Sequence, residues 1–190
     1  MSELKKLPTR DGSKDRRDLV RFTIYLLLVM AISYSLVHFV VSRTVVSGHS
    51  METTLSDGDN LVVDKVTYRF TDPKRFDVII FPYLYKKNTY YIKRIIGLPG
   101  ETVQITGDGR VRINGSVLKD DYGREKIRDP GEAAVAITLK DDEYFVLGDN
   151  RNSSEDSRFA DVGRIKRNQI LGRALWRFYP FTKIGRIDKK

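Results

Sequence analysis

Residues Thr89–Leu98 read TYYIKRIIGL. β-branched and aromatic side chains dominate, and a period of two sends Tyr91, Lys93 and Ile95 to one face of a strand and Ile92, Arg94 and Ile96 to the other. Runs of the same kind recur on both sides: LVVDKVTY (Leu61–Tyr68), FDVIIF (Phe76–Phe81), TVQIT (Thr102–Thr106), RVRING (Arg110–Gly115), YFVLG (Tyr144–Gly148) and ILGRALWRFY (Ile170–Tyr179). Turn signals DGD, DPK, GLPG, GDG and NG separate them. Gly107-Asp108-Gly109 reads as a hairpin and Asn114-Gly115 as a second tight turn. Asp120 to Glu132, polar and broken by Gly and Asp-Pro-Gly, is expected to be a mobile loop. No helical period, internal repeat or low-complexity segment interrupts this pattern. The expectation is one mainly β domain.

Upstream the pattern is different. Phe22–Val41, FTIYLLLVMAISYSLVHFVV, holds twenty residues without Asp, Glu, Lys or Arg. As a helix it extends about 30 Å, the thickness of a bilayer hydrocarbon core. A buried core helix of a soluble protein would carry a polar stripe, which is missing here. Lys5, Lys6, Arg10, Lys14, Arg16, Arg17 and Arg21 precede the run, and only Arg43 follows closely. The positive-inside rule then leaves the tail in the cytoplasm and exports the rest. A cleaved leader would have a shorter apolar core and end in small residues, unlike VVSRTVVSG. The organisation expected is a basic cytoplasmic tail (1–21), a transmembrane anchor in the cell membrane (22–41) and an extracytoplasmic β-rich domain (42–190).

Composition removes other classes. The 190 residues include no cysteine, which excludes disulfides, a thiol nucleophile and thiolate metal sites. Two histidines without a ligand cluster argue against a metal, and no cofactor motif is present. A net charge of +9 fits nucleic acid or anionic lipid equally well. A nucleic-acid partner explains neither the anchor nor the exported side. The basic C-terminal segment, with Arg173, Arg177, Lys183, Arg186, Lys189 and Lys190, reads as a solvated surface, or as one that grazes anionic headgroups.

Ser50, in SGHSMETTL (Ser47–Leu55), raises the question of chemistry. A serine hydroxyl needs a base to take its proton. His38 lies deep in the apolar run, and adjacent side chains such as His49 diverge in extended or turn segments. A lysine remains, provided burial lowers its pKa from about 10.4 toward neutrality. Lys93 stands between Tyr91 and Ile95 on one strand face. On pattern alone, the ordinary reading of such a lysine is a solvated head with its stem over apolar neighbours. GDNRNSSEDSR (Gly148–Arg158) reads on its own as a solvated loop of Asx-turns. Its Asp149, Arg151, Asp156 and Arg158 also suit a rigid lattice of paired charges, and Ser153 or Ser154 offers a hydroxyl to a neutral lysine.

SGHSMETTL, FDVIIF, YYIKRIIGLPGE and GDNRNSSEDSR, in that order behind an anchor, resemble the bacterial type I signal peptidases, in the single-anchor form usual in Gram-positive bacteria. The likeness covers nearly everything from about Ser42 to the end. It implies an antiparallel, barrel-like β-sheet catalytic domain with a large, partly apolar surface. The implied enzyme is a membrane-bound serine endopeptidase that works as a monomer through an acyl-enzyme. Such enzymes remove signal peptides from exported preproteins after small residues at −1 and −3. By the same resemblance Ser50 is the nucleophile, Lys93 the general base and Ser154 the hydroxyl that orients the lysine. Asp149 with Arg94 and Asp156 with Arg158 are supporting ion pairs, and Met51 lies near the substrate pocket. The resemblance overrides the ordinary reading of Lys93.

Two positions depart from the family pattern. Thr53 stands where the motif after the nucleophile often has proline, and Gly48 where some members have a serine that helps form the oxyanion hole. The backbone of Ser50, with Gly48, is then expected to supply that hole. Nine residues join the anchor to Ser50, at most about 30 Å fully extended, which keeps the nucleophile near the outer membrane surface. A non-catalytic membrane-tethered assembly factor that binds surface-protein subunits is the alternative from another class, but a binder has no use for the Ser50–Lys93 pair. A self-cleaving Ser/Lys protease of the repressor type would need a DNA-binding domain in place of the anchor.

Overall fold

The computed structural model describes residues 12–187, with the backbone alone at 12–15 and 35–41. Two units are separable, 1–38 and 39–190. Helix α1 (Gly12–Val40) accounts for the described residues of the first and ends two residues past its boundary. Its large apolar side chains from Leu19 to Tyr34 are exposed. Among the described residues no helix is long and apolar enough to cross a membrane; the far end of the expected anchor, 35–41 with His38, lies outside the described side chains.

The second unit is antiparallel β throughout its ladders. Its strands are β1 (Val41–Val45), β2 (Asn60–Asp64), β3 (Val78–Pro82), β4 (Tyr90–Gly97), β5 (Thr102–Ile105), β6 (Val111–Ile113), β7 (Ser116–Val117), β8 (Ile137–Thr138), β9 (Glu143–Leu147), β10 (Ile165–Lys166), β11 (Gly172–Tyr179) and β12 (Gly185–Arg186). The larger sheet runs β1-β2-β11-β3-β4-β9-β10, with β12 added to β11, and the smaller runs β7-β6-β5-β8. The larger path is open from β1 to β10 among the described residues.

The central strands are covered on both faces, which is why they read as almost unbroken apolar runs. In β9, Tyr144 and Val146 join a core with Ile79, Phe81 and Ile95. Phe145 and Leu147 join the opposite core with Ile96, Val103, Ile105 and Leu139. A third core, of Val46, Met51, Leu55, Leu61, Val78 and Ala174, seats the segment that carries Ser50, and Ile92 packs against it.

Three sequence expectations need correction. The segment expected to be a link after the anchor contains β1, paired along its length with β2. The run Leu61–Tyr68 leaves the sheet at Asp64, and Thr67–Phe70 forms a short helix, α2. The cause is local: the Asp64 carboxylate accepts from the N–H groups of Val66 and Thr67, each at 2.9 Å, and turns the chain. The loop Asp120–Glu132 is tied down rather than free. Asp120 pairs with buried Arg151, Ile127 lies 5% exposed in the core, and the Arg124 N–H donates to the Asp149 carbonyl at 2.9 Å. The hairpins at 107–109 and 114–115 join β5 to β6 and β6 to β7 as expected.

Phe145 is fully buried at the centre of this arrangement. Phe145→Ala should cost about 3–5 kcal/mol of unfolding free energy. Urea denaturation followed by tryptophan fluorescence checks this; a loss below about 1 kcal/mol would mean the two-faced core is wrongly described.

Candidate active site

The β4–β9 ladder runs from Arg94–Leu147 to Gly97–Phe145, so Lys93 stands one residue beyond its end. The segment from Val46 to Leu55 is brought to that place by Met51 and Leu55, which are 2% and 0% exposed in the third core. Asn150 holds it from the other side. Its N–H donates to the Ser50 carbonyl at 3.0 Å, and its side-chain amide donates to the His49 carbonyl at 3.1 Å. Lys93 Nζ and Ser50 Oγ are thereby joined by a hydrogen bond of 2.7 Å.

Lys93 is only 3% exposed. Burial drives its pKa down to about 8, against the pull of the Asp156 and Glu155 carboxylates, with Arg158 adding to the fall. At that value about one molecule in ten is neutral at pH 7, compared with about one in several thousand for a solvated lysine. His49 does not compete for the serine; its Nδ1 lies 2.9 Å from Glu52 Oε1.

Two buried ion pairs, Arg94 with Asp149 and Arg158 with Asp156, lie behind these residues. Arg94 Nε and Nη2 donate to the two oxygens of Asp149 at 2.9 and 2.7 Å, and both side chains are fully buried. The Thr54 hydroxyl donates to the same carboxylate, which ties the Ser50 segment to the pair. Arg158 Nε and Nη2 grip Asp156 at 2.8 and 2.9 Å, and Asp156 accepts the Gly148 N–H at 3.1 Å. Arg151 pairs with Asp120, a partner that sequence reasoning missed because it lies 31 residues upstream in a polar loop.

Gly148 is required by space. A Cβ there would stand 2.2 Å from Ser154 Oγ and 2.5 Å from the Ser50 carbonyl oxygen. Ser154 is thus in the site, but its Oγ is buried without a hydrogen bond among the described residues rather than joined to Lys93. Gly48, at φ +96°, gives its N–H to Asp57 Oδ1 at 2.8 Å, so that group is engaged away from the serine. No backbone carbonyl among the described residues accepts the Ser50 N–H. The Glu52–Thr53 peptide, at the position where the family motif often has proline, is cis.

These residues line a groove of about 750 Å³, with Met51, Tyr90, Tyr91, Ser154 and Glu155 around Ser50 and Lys93. No group of His, Asp or Glu among the described residues is arranged to hold a metal ion. The chemistry available is therefore that of a serine hydroxyl beside a desolvated amine.

A family model described as signal peptidase, peptidase S26, matches residues 16–179. Signal peptidase I of Leptolyngbya laminosa is 40% identical over 176 residues, covering 87% of this chain and 81% of that protein. Probable signal peptidase I-2 of a Synechocystis species is 39% identical, covering 77% of this chain and 67% of its own. Signal peptidase I of Bacillus amyloliquefaciens is 34% identical, covering 84% and 87%.

The Lys93 pKa makes a prediction about stability. Between pH 8 and 10.5 the unfolded chain binds the Lys93 proton and the folded chain does not, so folding gains stability as pH rises through that window. Below pH 8 the burial penalty is fully present. Lys93→Met should therefore stabilise the protein at pH 7, by on the order of 3 kcal/mol at most, and the gain should shrink as pH approaches 10. Urea titrations at the two pH values measure it; a pH-independent difference would contradict the buried amine.

Proposed function

Because this chain belongs to the signal peptidase family, peptidase S26, we propose that it is a membrane-anchored serine endopeptidase that removes N-terminal signal peptides from exported preproteins, with Ser50 as nucleophile and Lys93 as general base. The observation that carries the dyad is the 2.7 Å bond between Ser50 Oγ and a lysine amine that is 3% exposed.

Neutral Lys93 takes the Ser50 proton as Oγ attacks the scissile carbonyl carbon. Charge builds on the carbonyl oxygen, where the Ser50 N–H is a donor. Collapse breaks the peptide C–N bond, and Lys93 returns the proton to the leaving amine, the new N-terminus of the mature protein. The acyl-enzyme is then attacked by a water that gives its proton to Lys93, which frees the signal peptide and restores Ser50. Met51 belongs to the substrate pocket in this reading, and Ser154 offers Lys93 its unspent hydroxyl. The ion pairs Arg94–Asp149 and Arg158–Asp156 hold the two loops that meet at the dyad.

The anchor belongs to the same proposal. A helix of 29 residues, about 44 Å long, contains the charge-free run up to Val40 behind a basic tail. Residues 1–21 are then cytoplasmic, 22–41 cross the bilayer once and 42–190 work outside, as a monomer, on substrates inserted in the same membrane. The tether raises the local concentration of enzyme and substrate.

The detergent-solubilised protein, incubated with a preprotein, should release a mature chain whose new N-terminus is found by sequencing. Ser50→Ala and Lys93→Ala should each lower cleavage by at least 1,000-fold, on the order of what catalytic nucleophiles and bases supply. His49→Ala should retain most activity. In the native enzyme kcat/KM should rise with pH through about 8, as Lys93 loses its proton. An active Lys93→Ala would remove the dyad. Preprotein binding without cleavage by the native chain would favour the tethered assembly factor.

A further inference from the structure

Tyr91 stands two residues before Lys93 on the same face of β4, with its ring centroid 5.0 Å from Lys93 Nζ. Three contacts fix that ring. It stacks on Tyr83 at 4.6 Å, meets Phe81 edge-on at 6.2 Å, and its hydroxyl donates to Glu155 Oε2 at 2.6 Å. The last contact spans 64 residues and joins β4 to the loop that carries Asp149 and Asp156. Glu155 is unlike the other acidic residues of that loop. Asp149 and Asp156 are buried against arginines, whereas Glu155 is exposed and makes no ion pair among the described residues. Its carboxylate is held by a neutral phenol on the rim of the groove.

We propose that Glu155 is a positioning residue for the Ser50–Lys93 reaction: through the Tyr91 hydroxyl it holds the Tyr91 ring as the cover that keeps water from Lys93 Nζ. This rests on the dyad reading above. Without that bond only the Tyr83 stack and the Phe81 edge contact hold the ring, and its turning about the first side-chain torsion is what opens the amine to solvent. A carboxylate acceptor makes a stronger bond than a neutral one would. Burial and the bond to Glu155 both raise the Tyr91 phenol, so it remains a donor throughout the range in which Lys93 titrates.

Two effects of opposite sign follow, and they can be separated. The cover withdraws water and lowers Lys93; the Glu155 charge raises it. The other charges that face Lys93 are Asp156, Arg158 and Asp149 from the same loop, with His49 beside Ser50 on the groove, and Asp161 acts on Tyr91 itself. None is altered by the variants below. Tyr91→Phe keeps the ring and the Glu155 charge but loses the bond, so the midpoint of the rising limb of kcat/KM should move to higher pH. Glu155→Gln keeps an oxygen acceptor and loses the charge, so the limb should move to lower pH. Glu155→Ala loses both and should lie above Glu155→Gln. Displacements of about half a unit are expected.

The experiment is peptide cleavage by the full-length chain in detergent from pH 5 to 10, with Lys93→Ala alongside. The Lys93 titration is also followed by 13C NMR in a Ser50→Ala background, which needs no turnover. A purely structural role would lower the rate at every pH and leave the midpoint in place. Coincident midpoints for native enzyme and Tyr91→Phe, or an upward shift in Glu155→Gln, overturn the role of Glu155. If Lys93→Ala is inert in the same series, that failure leaves the dyad standing; if Lys93→Ala cleaves, the dyad reading itself has failed.

Discussion

Burying an arginine costs several kcal/mol unless every donor is met and the charge is balanced, and Arg94 is completely buried. Its partner Asp149 is equally buried, the third guanidinium nitrogen, Nη1, donates to the Phe76 carbonyl at 2.8 Å, and the guanidinium lies 3.7 Å from the Tyr122 ring. This cluster joins β4 to the loop after β9, and through Thr54 it also holds the Ser50 segment. Three stretches distant in sequence meet at one ion pair. Ser50 and Lys93 lie beside them, so the bond between serine and lysine depends on charges that do not line the groove.

The same arrangement explains how a lysine amine comes to be held away from water. Lys93 follows the apolar Ile92 and precedes Arg94, whose charge is neutralised by Asp149 on the other face of the strand. The groove side is closed by Tyr91, Ser50 and the loop Gly148–Arg158. Little water reaches Nζ, and desolvation outweighs the attraction of Asp156 and Glu155. Reactivity and stability are then opposed at this residue, because the burial that frees the amine to act is unfavourable to the folded protein below pH 8.

Some elements were plain in the linear pattern. β4, β5, β6 and β11 fall within runs recognised by β-branched and aromatic composition, β3 and β9 each extend one residue beyond theirs, and both tight turns were marked by glycine. β1 was not, because VSRTV follows the apolar helix directly and reads as its tail or a link. The end of β2 at Asp64 depends on one carboxylate turning back on its own backbone, which an alternation rule does not see. The loop 120–132 looked free because it is polar, yet Asp120 is consumed by Arg151 and Ile127 by the core.

The order of SGHSMETTL, FDVIIF, YYIKRIIGLPGE and GDNRNSSEDSR carried the family resemblance, and that resemblance singled out Ser50, Lys93 and the two arginine–aspartate pairs. Strand alternation also placed Tyr91 on the Lys93 face. What only the tertiary structure decided was the environment of each group. Folding leaves Lys93 3% exposed, directs the Gly48 N–H to Asp57, leaves Ser154 Oγ buried without a bond among the described residues, and brings Glu155 to Tyr91. The reason is physical: hydration and long-range hydrogen bonding are properties of the packed neighbourhood, and residues 64 positions apart share no local pattern from which their contact could be read.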